Sequence, residues 1–127
     1  MRKAKALPGM TGQDLASRVT CKAPYPWKEG LWELGMGYTH EERTRPLNVV
    51  AFDFGVKYNI LRNLVSSGCR VTVVPASTSA DDVLAMNPDG IFLSNGPGDP
   101  EAVTYAIDTI RSLIGKKPIF GICLGHQ

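Results

Sequence analysis

The cysteine near the end of the sequence lies in a pattern that is typical of an enzyme nucleophile. Cys123 is the centre of a G-x-C-x-G pentapeptide, residues 121–125, and the apolar residues 118–120 come directly before it. This order predicts a strand that delivers the cysteine into a tight turn, a nucleophile elbow with Cys in place of Ser. At the start of the next helix, backbone N–H groups and the helix dipole would stabilise a thiolate. The alternative interpretation is a small buried residue at the end of a strand.

A thiolate that attacks a carbonyl group creates an oxyanion, which needs N–H donors held in place. The backbone N–H of Leu124, the residue after the cysteine, is one natural donor. The second donor is expected from the loop at residues 95–98, N-G-P-G. Because proline has no N–H, this donor is either Gly96 or Gly98, and Pro97 would stiffen the loop. The alternatives are a plain turn before a helix and a phosphate-binding loop, although the common phosphate-loop motifs are absent from this turn.

A catalytic cysteine also needs a base, and the sequence offers two histidines. His126 lies three residues after the nucleophile, where it suits packing or a substrate wall better than proton transfer. His40 lies in an irregular segment and is expected to be a solvated loop residue. No catalytic triad can be assembled from these residues. Residues 53–55 spell the kinase tripeptide D-F-G, but the other kinase motifs are absent, and the match is interpreted as chance.

Composition excludes several classes of function. The chain has 127 residues and a formal net charge of +2, too small to indicate nucleic-acid binding, and its basic residues are scattered. No window approaches the roughly 20 apolar residues of a membrane span. The three cysteines are widely spaced without a C-x-x-C motif, so neither a disulfide framework nor a metal site is expected. The first residues are basic but lack the apolar run of a secretory signal, and a reducing cytoplasm is the expected location.

Regular apolar runs begin at residue 47 and predict the elements that hold the two loops. Strands and helices alternate as β-α-β-α-β-α-β with short connections, which indicates a parallel sheet with helices on both faces. We therefore predict an α/β fold with a doubly wound, flavodoxin-like sheet. In such sheets, sites lie beyond the carboxyl ends of the strands. The predicted strands are 48–54, 69–75, 90–95 and 117–122, and the predicted helices are 57–67, 80–86 and one that begins at 99–100.

Local signals set the limits of the predicted helices. Gly68 is expected to end the first helix, and Ser79 is expected to cap the second. Asp99 and Pro100 occupy the favoured cap and first-turn positions of the third. That third helix is predicted to carry an apolar face made by Val103, Ala106, Ile107, Ile110 and Ile114.

Residues 1–46 differ from the rest of the chain because they lack a sustained hydrophobic period. They carry many glycines and prolines, and only a short helical turn at 12–18, capped by Thr11, is predicted. Because this stretch could bury little by itself, it is interpreted as the end of another domain followed by a linker. The charged residues 41–46 are the expected boundary, and residues 47–127 are the second domain.

The two loops resemble the motifs of a known enzyme family. Residues 120–127, F-G-I-C-L-G-H-Q, are similar to the nucleophile motif of class I, triad-type glutamine amidotransferases, and residues 93–100, L-S-N-G-P-G-D-P, resemble their oxyanion-hole loop. Together with residues 50–62, the form N-G-P-G-D-P resembles the small subunits of carbamoyl-phosphate synthases in particular. Residues 1–46 resemble, less specifically, the end of the N-terminal domain of those subunits and the linker after it.

The resemblance implies a glutaminase site. Cys123 would attack the side-chain amide of L-glutamine, and Gly96 and Leu124 would donate the oxyanion-hole N–H groups. Bound glutamine would contact Gly96, Gly98, Leu124 and Gln127. The resemblance implies no metal or cofactor on this chain. ATP and magnesium belong to a large synthetase subunit, the implied partner, which uses the ammonia to make carbamoyl phosphate for arginine and pyrimidine synthesis.

In this family the catalytic His and Glu lie well beyond the elbow. The resemblance therefore implies a C-terminally truncated piece of the domain, which is expected to be inactive by itself. Two functions from other classes remain open: a non-catalytic subunit-docking or regulatory module, and a flavodoxin-like nucleotide-binding domain. Another class I glutaminase, of the anthranilate synthase type, is a third alternative, although those proteins usually carry S-P-G-P-G or a relative of it at the loop.

Overall fold

The computed structural model describes residues 2–40 and 44–127. The first part contains α1 (Arg2–Ala6), α2 (Ala16–Val19), β1 (Tyr25–Trp27), β2 (Trp32–Glu33) and β3 (Gly37–Tyr38). The second part contains β4 (Leu47–Asp53), α3 (Tyr58–Ser66), β5 (Cys69–Pro75), α4 (Ala80–Ala85), β6 (Gly90–Leu93), α5 (Thr104–Leu113) and β7 (Ile119–Gly121). Two 3₁₀ turns lie at Pro100–Ala102 and Cys123–Gly125.

Five strands form one sheet in the order β1-β5-β4-β6-β7. The strands β4 to β7 run parallel to one another, because a crossover helix returns the chain to the same end of the sheet between successive strands. The predicted α/β fold with its parallel sheet is confirmed. β1 belongs to the N-terminal segment, residues 2–40. It pairs antiparallel with β5 at one edge of the sheet, which the sequence did not indicate. β2 and β3 form a separate antiparallel pair.

Helices cover both faces of this sheet. The core has two clusters, and alternate residues of β4 belong to different ones: Val50 and Phe52 to the first, Ala51 to the second, as the two-residue period of a strand requires. The first cluster includes Val83 of α4 and Ala106 of α5. The second includes Leu61, Val65, Val71, Val73 and Phe92. Burial on both faces explains why β4 is an almost continuous apolar run.

The predicted limits of the first two helices are confirmed within a residue or two. Ser79 caps α4 with its side-chain oxygen, which accepts the N–H of Asp82 at 3.1 Å. Gly68 follows α3 with a φ of +93°, in the left-handed region that glycine adopts easily. Its N–H donates to the carbonyl of Val65 at 2.8 Å, which satisfies one of the last carbonyls of the helix.

The prediction for the third helix is wrong at both ends. Asp99 caps only the turn Pro100–Ala102, and α5 begins after Val103, whose ψ of 54° interrupts the helical backbone. At the other end, α5 stops at Leu113, which is fully buried. Ile114 was predicted to lie on the buried face, but it follows the helix with a non-helical ψ of 131° and is 65% exposed.

The N-terminal segment departs most from its prediction. The expected helix at 12–18 is only the single turn α2, and Thr11 does not cap it. The carboxylate of Asp14 accepts the N–H of Ser17 at 3.0 Å instead. Residues 41–43 of the expected boundary lie outside the described residues, and the division at residue 46 stays a prediction.

Candidate active site

The carboxyl ends of three parallel strands bring the predicted loops to one end of the sheet. One loop follows β4, the N-G-P-G-D loop follows β6, and the elbow follows β7. In the register of β6 and β7, Leu93 pairs with Gly121. Asn95 and Cys123 therefore each lie two residues beyond the same pair. The sheet places the predicted nucleophile next to the predicted oxyanion loop.

The backbone of the elbow is strained at the predicted nucleophile. Cys123 is exposed and has a φ of +54°, in the left-handed region that costs an L-residue about 1–2 kcal/mol. Strain of this kind persists where the surrounding structure fixes it, and it is concentrated at functional sites. Here the carbonyl of Cys123 accepts the N–H groups of His126 and Gln127 at 2.9 and 3.0 Å.

Two glycines make the elbow possible. A Cβ on Gly121 would overlap the backbone of Gly125, and a Cβ on Gly125 would overlap the carbonyl of Leu93. The elbow is also bonded to the end of β6. The N–H of Gly125 donates to the carbonyl of Ser94 at 3.1 Å, and the N–H of Ile122 donates to the carbonyl of Leu93 at 3.0 Å. The G-x-C-x-G spacing thus has a steric cause.

The loop after β6 is equally tight around its glycines. A Cβ on Gly96 would overlap the carbonyl of Phe54, so only glycine fits beside the end of β4. Gly98 has a φ of +99°, and a Cβ there would lie 2.8 Å from the carbonyl oxygen of Gln13. Both candidate N–H donors therefore belong to backbone that is closely packed against other backbone.

Two polar residues that the sequence analysis did not single out hold this loop in place. Asn95 connects it to the loop after β4, because its Oδ1 accepts the N–H of Lys57 at 3.1 Å and its Nδ2 donates to the carbonyl of Gly55 at 3.2 Å. Ser94 is fully buried, and its Oγ accepts the N–H of Phe54 at 2.9 Å. The available signal was a polar side chain directly after an apolar strand.

Asp53 is a buried carboxylate at the end of β4. Its Oδ2 accepts the N–H of Cys21 at 2.8 Å, and its Oδ1 accepts the N–H groups of Gly55 and Val56, each at 2.9 Å. One side chain thus joins the N-terminal segment to the loop after β4. Burial, and then the charge of Asp53, raise the pKa of the Cys21 thiol. The same two causes raise the pKa of Tyr25 to about 12.

The described residues do not bring a histidine into hydrogen-bond contact with the thiol. His126 is exposed beside the elbow, and His40 is exposed in its loop. Within residues 2–40 and 44–127, neither imidazole is hydrogen-bonded to Cys123. The same residues contain no cluster of three or more metal-ligating side chains. None of the helices described is long and apolar enough to cross a bilayer.

A cleft of about 370 Å³ lies between α5 and the elbow. Its apolar wall includes Ile107 and Ile110 of α5. Of the residues predicted to contact glutamine, Leu124 and Gln127 line this cleft. The lining does not include Cys123 or the two loop glycines. Of the four residues predicted to contact glutamine, two therefore line the cleft and two lie in the loop after β6.

The sequence is similar to known proteins along its whole length. The carbamoyl phosphate synthase small chain of Syntrophotalea carbinolica is 61% identical over 127 residues, which are 100% of this chain and 34% of that protein. The protein of the same name from Neisseria gonorrhoeae is 62% identical over 123 residues, 96% of this chain and 32% of that protein. The one from Halomonas eurihalina is 58% identical over 129 residues and likewise has 34% of its length covered. The chain spans about a third of the length of these curated relatives.

A family match falls on the region that holds both loops. The family model described as glutamine amidotransferase class-I matches residues 50–127. This range begins within β4 and continues through the loop after β6 to the elbow. It covers more than half of the 127 residues. The chain therefore belongs to the class I glutamine amidotransferase family.

Proposed function

We propose that this chain carries the nucleophile and the oxyanion loop of a glutamine-hydrolysing subunit that supplies ammonia for carbamoyl phosphate synthesis. The observation that carries the proposal is the strained, exposed Cys123 placed by the parallel sheet beside the loop that contains Gly96. The names of the relatives support the choice of carbamoyl phosphate synthesis over other uses of the ammonia.

Cys123 acts as the nucleophile. Its sulfur adds to the side-chain amide carbon of L-glutamine, and the electron pair of the C=O bond moves to oxygen. The N–H groups of Gly96 and Leu124 donate to this oxyanion. When the pair returns, the C–N bond breaks, the nitrogen takes a proton and ammonia leaves a thioester. Water then hydrolyses the thioester to glutamate and regenerates the thiol. Removing one such donor typically costs about 10²- to 10³-fold in rate.

Substrate contacts are proposed on both sides of the nucleophile. Gly96 and Gly98 approach the ligand closely because neither has a side chain. Leu124 and Gln127 border the cleft beside α5. These four residues are proposed to contact bound glutamine, with Cys123 between the two pairs.

The proposed partner is a large synthetase subunit. That subunit would bind ATP and magnesium and would consume the ammonia together with bicarbonate, in the cytoplasm, for arginine and pyrimidine synthesis. This chain would need no metal or cofactor of its own, because thioester chemistry uses only the thiol, proton transfers and water.

Residues 1–127 by themselves are proposed to turn glutamine over very slowly. An unactivated thiol is only a few per cent thiolate at about pH 7. Both histidines are exposed, and neither is bonded to Cys123 in the described part of the chain. Losing the base of a catalytic unit costs several orders of magnitude, about as much as losing the nucleophile.

The first experiment is covalent labelling of the chain with a chloroketone analogue of glutamine. We expect one label per chain, at Cys123, with protection by glutamine, and no label in Cys123→Ser. Cys21 and Cys69 serve as internal controls, because peptide mapping reports all three thiols in the same sample. Equal labelling of the three cysteines, or no protection by glutamine, would favour the docking-module interpretation.

The second experiment measures turnover. In a chimeric small chain, residues 1–127 replace the matching region of the Syntrophotalea carbinolica protein, and the chimera is assembled with the large chain of that organism. We expect glutaminase activity that Cys123→Ser lowers by at least about 10⁴-fold. An active Cys123→Ser chimera would contradict the assignment of the nucleophile.

A further inference from the structure

We propose that Ser94 is a positioning residue of the oxyanion hole, whose hydroxyl sets the direction in which the N–H of Gly96 points. This inference rests on the proposed function, in which that N–H donates to the oxyanion. Ser94 touches neither substrate nor thiol in this scheme. It acts through the peptide bond between Asn95 and Gly96.

Every polar group of Ser94 has a partner, although the residue is fully buried. Its N–H donates to the carbonyl of Phe52 at 3.3 Å, and its carbonyl accepts the N–H of Gly125 at 3.1 Å. Its Oγ accepts the N–H of Phe54 at 2.9 Å and donates to the carbonyl of Asn95 at 2.8 Å. The residue therefore links β4, the elbow and the loop after β6.

The direction of the hydroxyl proton follows from these partners. A serine hydroxyl has one proton to donate and two lone pairs. The N–H of Phe54 can only donate, so it occupies a lone pair of Ser94 Oγ. The proton is then directed to the carbonyl of Asn95. Burial of Ser94 holds this arrangement, because breaking either bond would leave a polar group unsatisfied.

The carbonyl of Asn95 and the N–H of Gly96 belong to the same peptide group. The described chain has no cis peptide bond, so in this planar trans group the C=O and the N–H point in opposite directions. Holding the carbonyl toward the buried Ser94 therefore turns the N–H of Gly96 away from the core. The register of β6 and β7 places Cys123 at the level of Asn95 on that end of the sheet.

The preceding peptide group is tied to the elbow itself. The carbonyl of Ser94 accepts the N–H of Gly125, two residues after the nucleophile. One residue thus fixes both the orientation of the proposed donor and its separation from Cys123. Catalysis by an oxyanion donor depends on its being oriented before the charge develops. Ser94 supplies that orientation without contacting the reacting atoms.

The test compares Ser94→Ala with Ser79→Ala in the active chimera. Ser79 is the matched control, since its hydroxyl also accepts a backbone N–H, at the start of α4 and away from the elbow. We expect Ser94→Ala to lower kcat for glutamine hydrolysis by about 10- to 100-fold with KM changed by less than about 3-fold. Ser79→Ala should leave both constants close to those of the parent. A purely structural role for Ser94 would lower the amount of folded enzyme and leave kcat per active site unchanged.

Two electrophiles separate the effect on the oxyanion from an effect on the thiol. Iodoacetamide loses iodide as the sulfur attacks a saturated carbon, and no oxyanion forms. The chloroketone first accepts the thiolate at its carbonyl, forming an oxyanion. The sulfur then bonds the adjacent carbon as chloride leaves, and its bond to the first carbon breaks as the oxyanion electron pair re-forms the carbonyl. In Ser94→Ala we expect labelling of Cys123 by the chloroketone to slow about 10-fold or more, while its labelling by iodoacetamide is unchanged.

A crystal structure of the chimera with an aldehyde analogue of glutamine tests the inference without any variant of Ser94. The thiol adds to the aldehyde, and the resulting oxygen should lie within hydrogen-bond distance of Gly96 N while Ser94 Oγ still bonds the carbonyl of Asn95. The inference about Ser94, but not the proposed function, would be overturned by either of two results. One is an adduct in which the Asn95–Gly96 peptide group is flipped, and the other is equal kinetics of Ser94→Ala and the parent. An inactive parent chimera that is not labelled by the chloroketone would overturn the proposed function as well.

Discussion

The two parts of this chain keep their structure by different means. Residues 47–127 bury alternating faces of long parallel strands under helices, so their stability comes from hydrophobic area. In residues 2–40, the helices and strands are only two to five residues long. Ala16 is their one contribution to the fully buried part of the core among the described residues. The segment is attached by the pairing of β1 with β5, by partly buried side chains such as Tyr25 and Trp27, and by single polar contacts.

Several of those polar contacts lie at the end of the sheet that carries the candidate site. The carboxylate of Asp99 accepts the N–H of Gly12 at 2.7 Å, and the N–H of Asp99 donates to the carbonyl of Gln13 at 3.1 Å. The N–H of Cys21 donates to Asp53 at 2.8 Å. A segment without hydrophobic period therefore contributes to the order of the proposed oxyanion loop. The comparison teaches that a segment with little sequence periodicity can still hold a loop that is proposed to be functional.

Among the variants considered, Asp53→Asn should weaken the attachment of the N-terminal segment to the sheet most. The amide keeps the size of the side chain but loses its charge, and one of its two polar atoms becomes a donor facing backbone N–H groups. We expect the free energy of unfolding to fall by about 3 kcal/mol, since hydrogen bonds to a buried charge are among the strongest. Urea denaturation measures this change.

The reactivity of the Cys21 thiol reports the loss of the Asp53 charge locally in the same variant. Burial first, and then Asp53, raise its pKa, so removing the charge lowers that pKa and increases the thiolate fraction. Alkylation of Cys21 should therefore be faster in Asp53→Asn at neutral pH. Asp108→Asn is the matched control, because Asp108 is 76% exposed and its ion pair with Arg111 contributes little. Equal stability of the two variants would show that Asp53 does not join the segment to the sheet.

Gly98→Ala tests the contact between the N-terminal segment and the proposed oxyanion loop. Gly115→Ala is a matched control, because both glycines have positive φ, +99° and +82°, but only Gly98 has neighbours within 4 Å of the added Cβ. The shared backbone penalty is about 1 kcal/mol, and the contact with Gln13 should add about 1 kcal/mol for Gly98 alone. Urea denaturation of the two variants gives the difference. Equal losses of unfolding free energy in the two variants would mean that the N-terminal segment moves away from the added Cβ at no cost.

Most of the α/β region was predictable because its signals are local. Nearly continuous apolar runs predicted β4 to β7, and apolar residues at helical spacing predicted helices between them. Ser79 and Gly68 set helix ends through bonds to near neighbours. Ile114 was misplaced because the apolar period continues past the point where the backbone leaves the helix. β1 was missed because its three residues are ordered by pairing with β5, far along the chain.

The candidate site divides in the same way. The sequence predicted Cys123, Gly96 and Gly98 because they belong to short motifs in which the glycines are needed for steric reasons. Ser94 and Asp53 were not predicted, since besides its local bonds each accepts a backbone N–H supplied by a distant part of the chain. Ser94 bonds an N–H 40 residues away, and Asp53 bonds one 32 residues away. No local pattern encodes such a contact, so the proposed positioning role of Ser94 and the bridging role of Asp53 emerged only from the structure.

Tyr105→Phe should have the smallest effect and the most specific pH dependence. The phenol of Tyr105 donates to the carboxylate of Asp14 at 3.0 Å and so joins α5 to the segment. Its loss should cost about 1 kcal/mol near neutral pH. Burial, and then this hydrogen bond, raise the pKa of Tyr105 to about 12.

The sign of the pH dependence follows from that shift. An unfolded tyrosine has a pKa of about 10, so the stabilisation is complete below about pH 10 and is lost as the pH rises towards the folded value. The difference in unfolding free energy between the parent and Tyr105→Phe should shrink between about pH 10 and 12. Tyr25, whose pKa is also raised to about 12, titrates in both proteins and cancels in the comparison. A difference that stays constant through this range would show that the phenol does not hold the N-terminal segment to α5. The attachment of the segment would then depend on Asp53 and Gly98 instead.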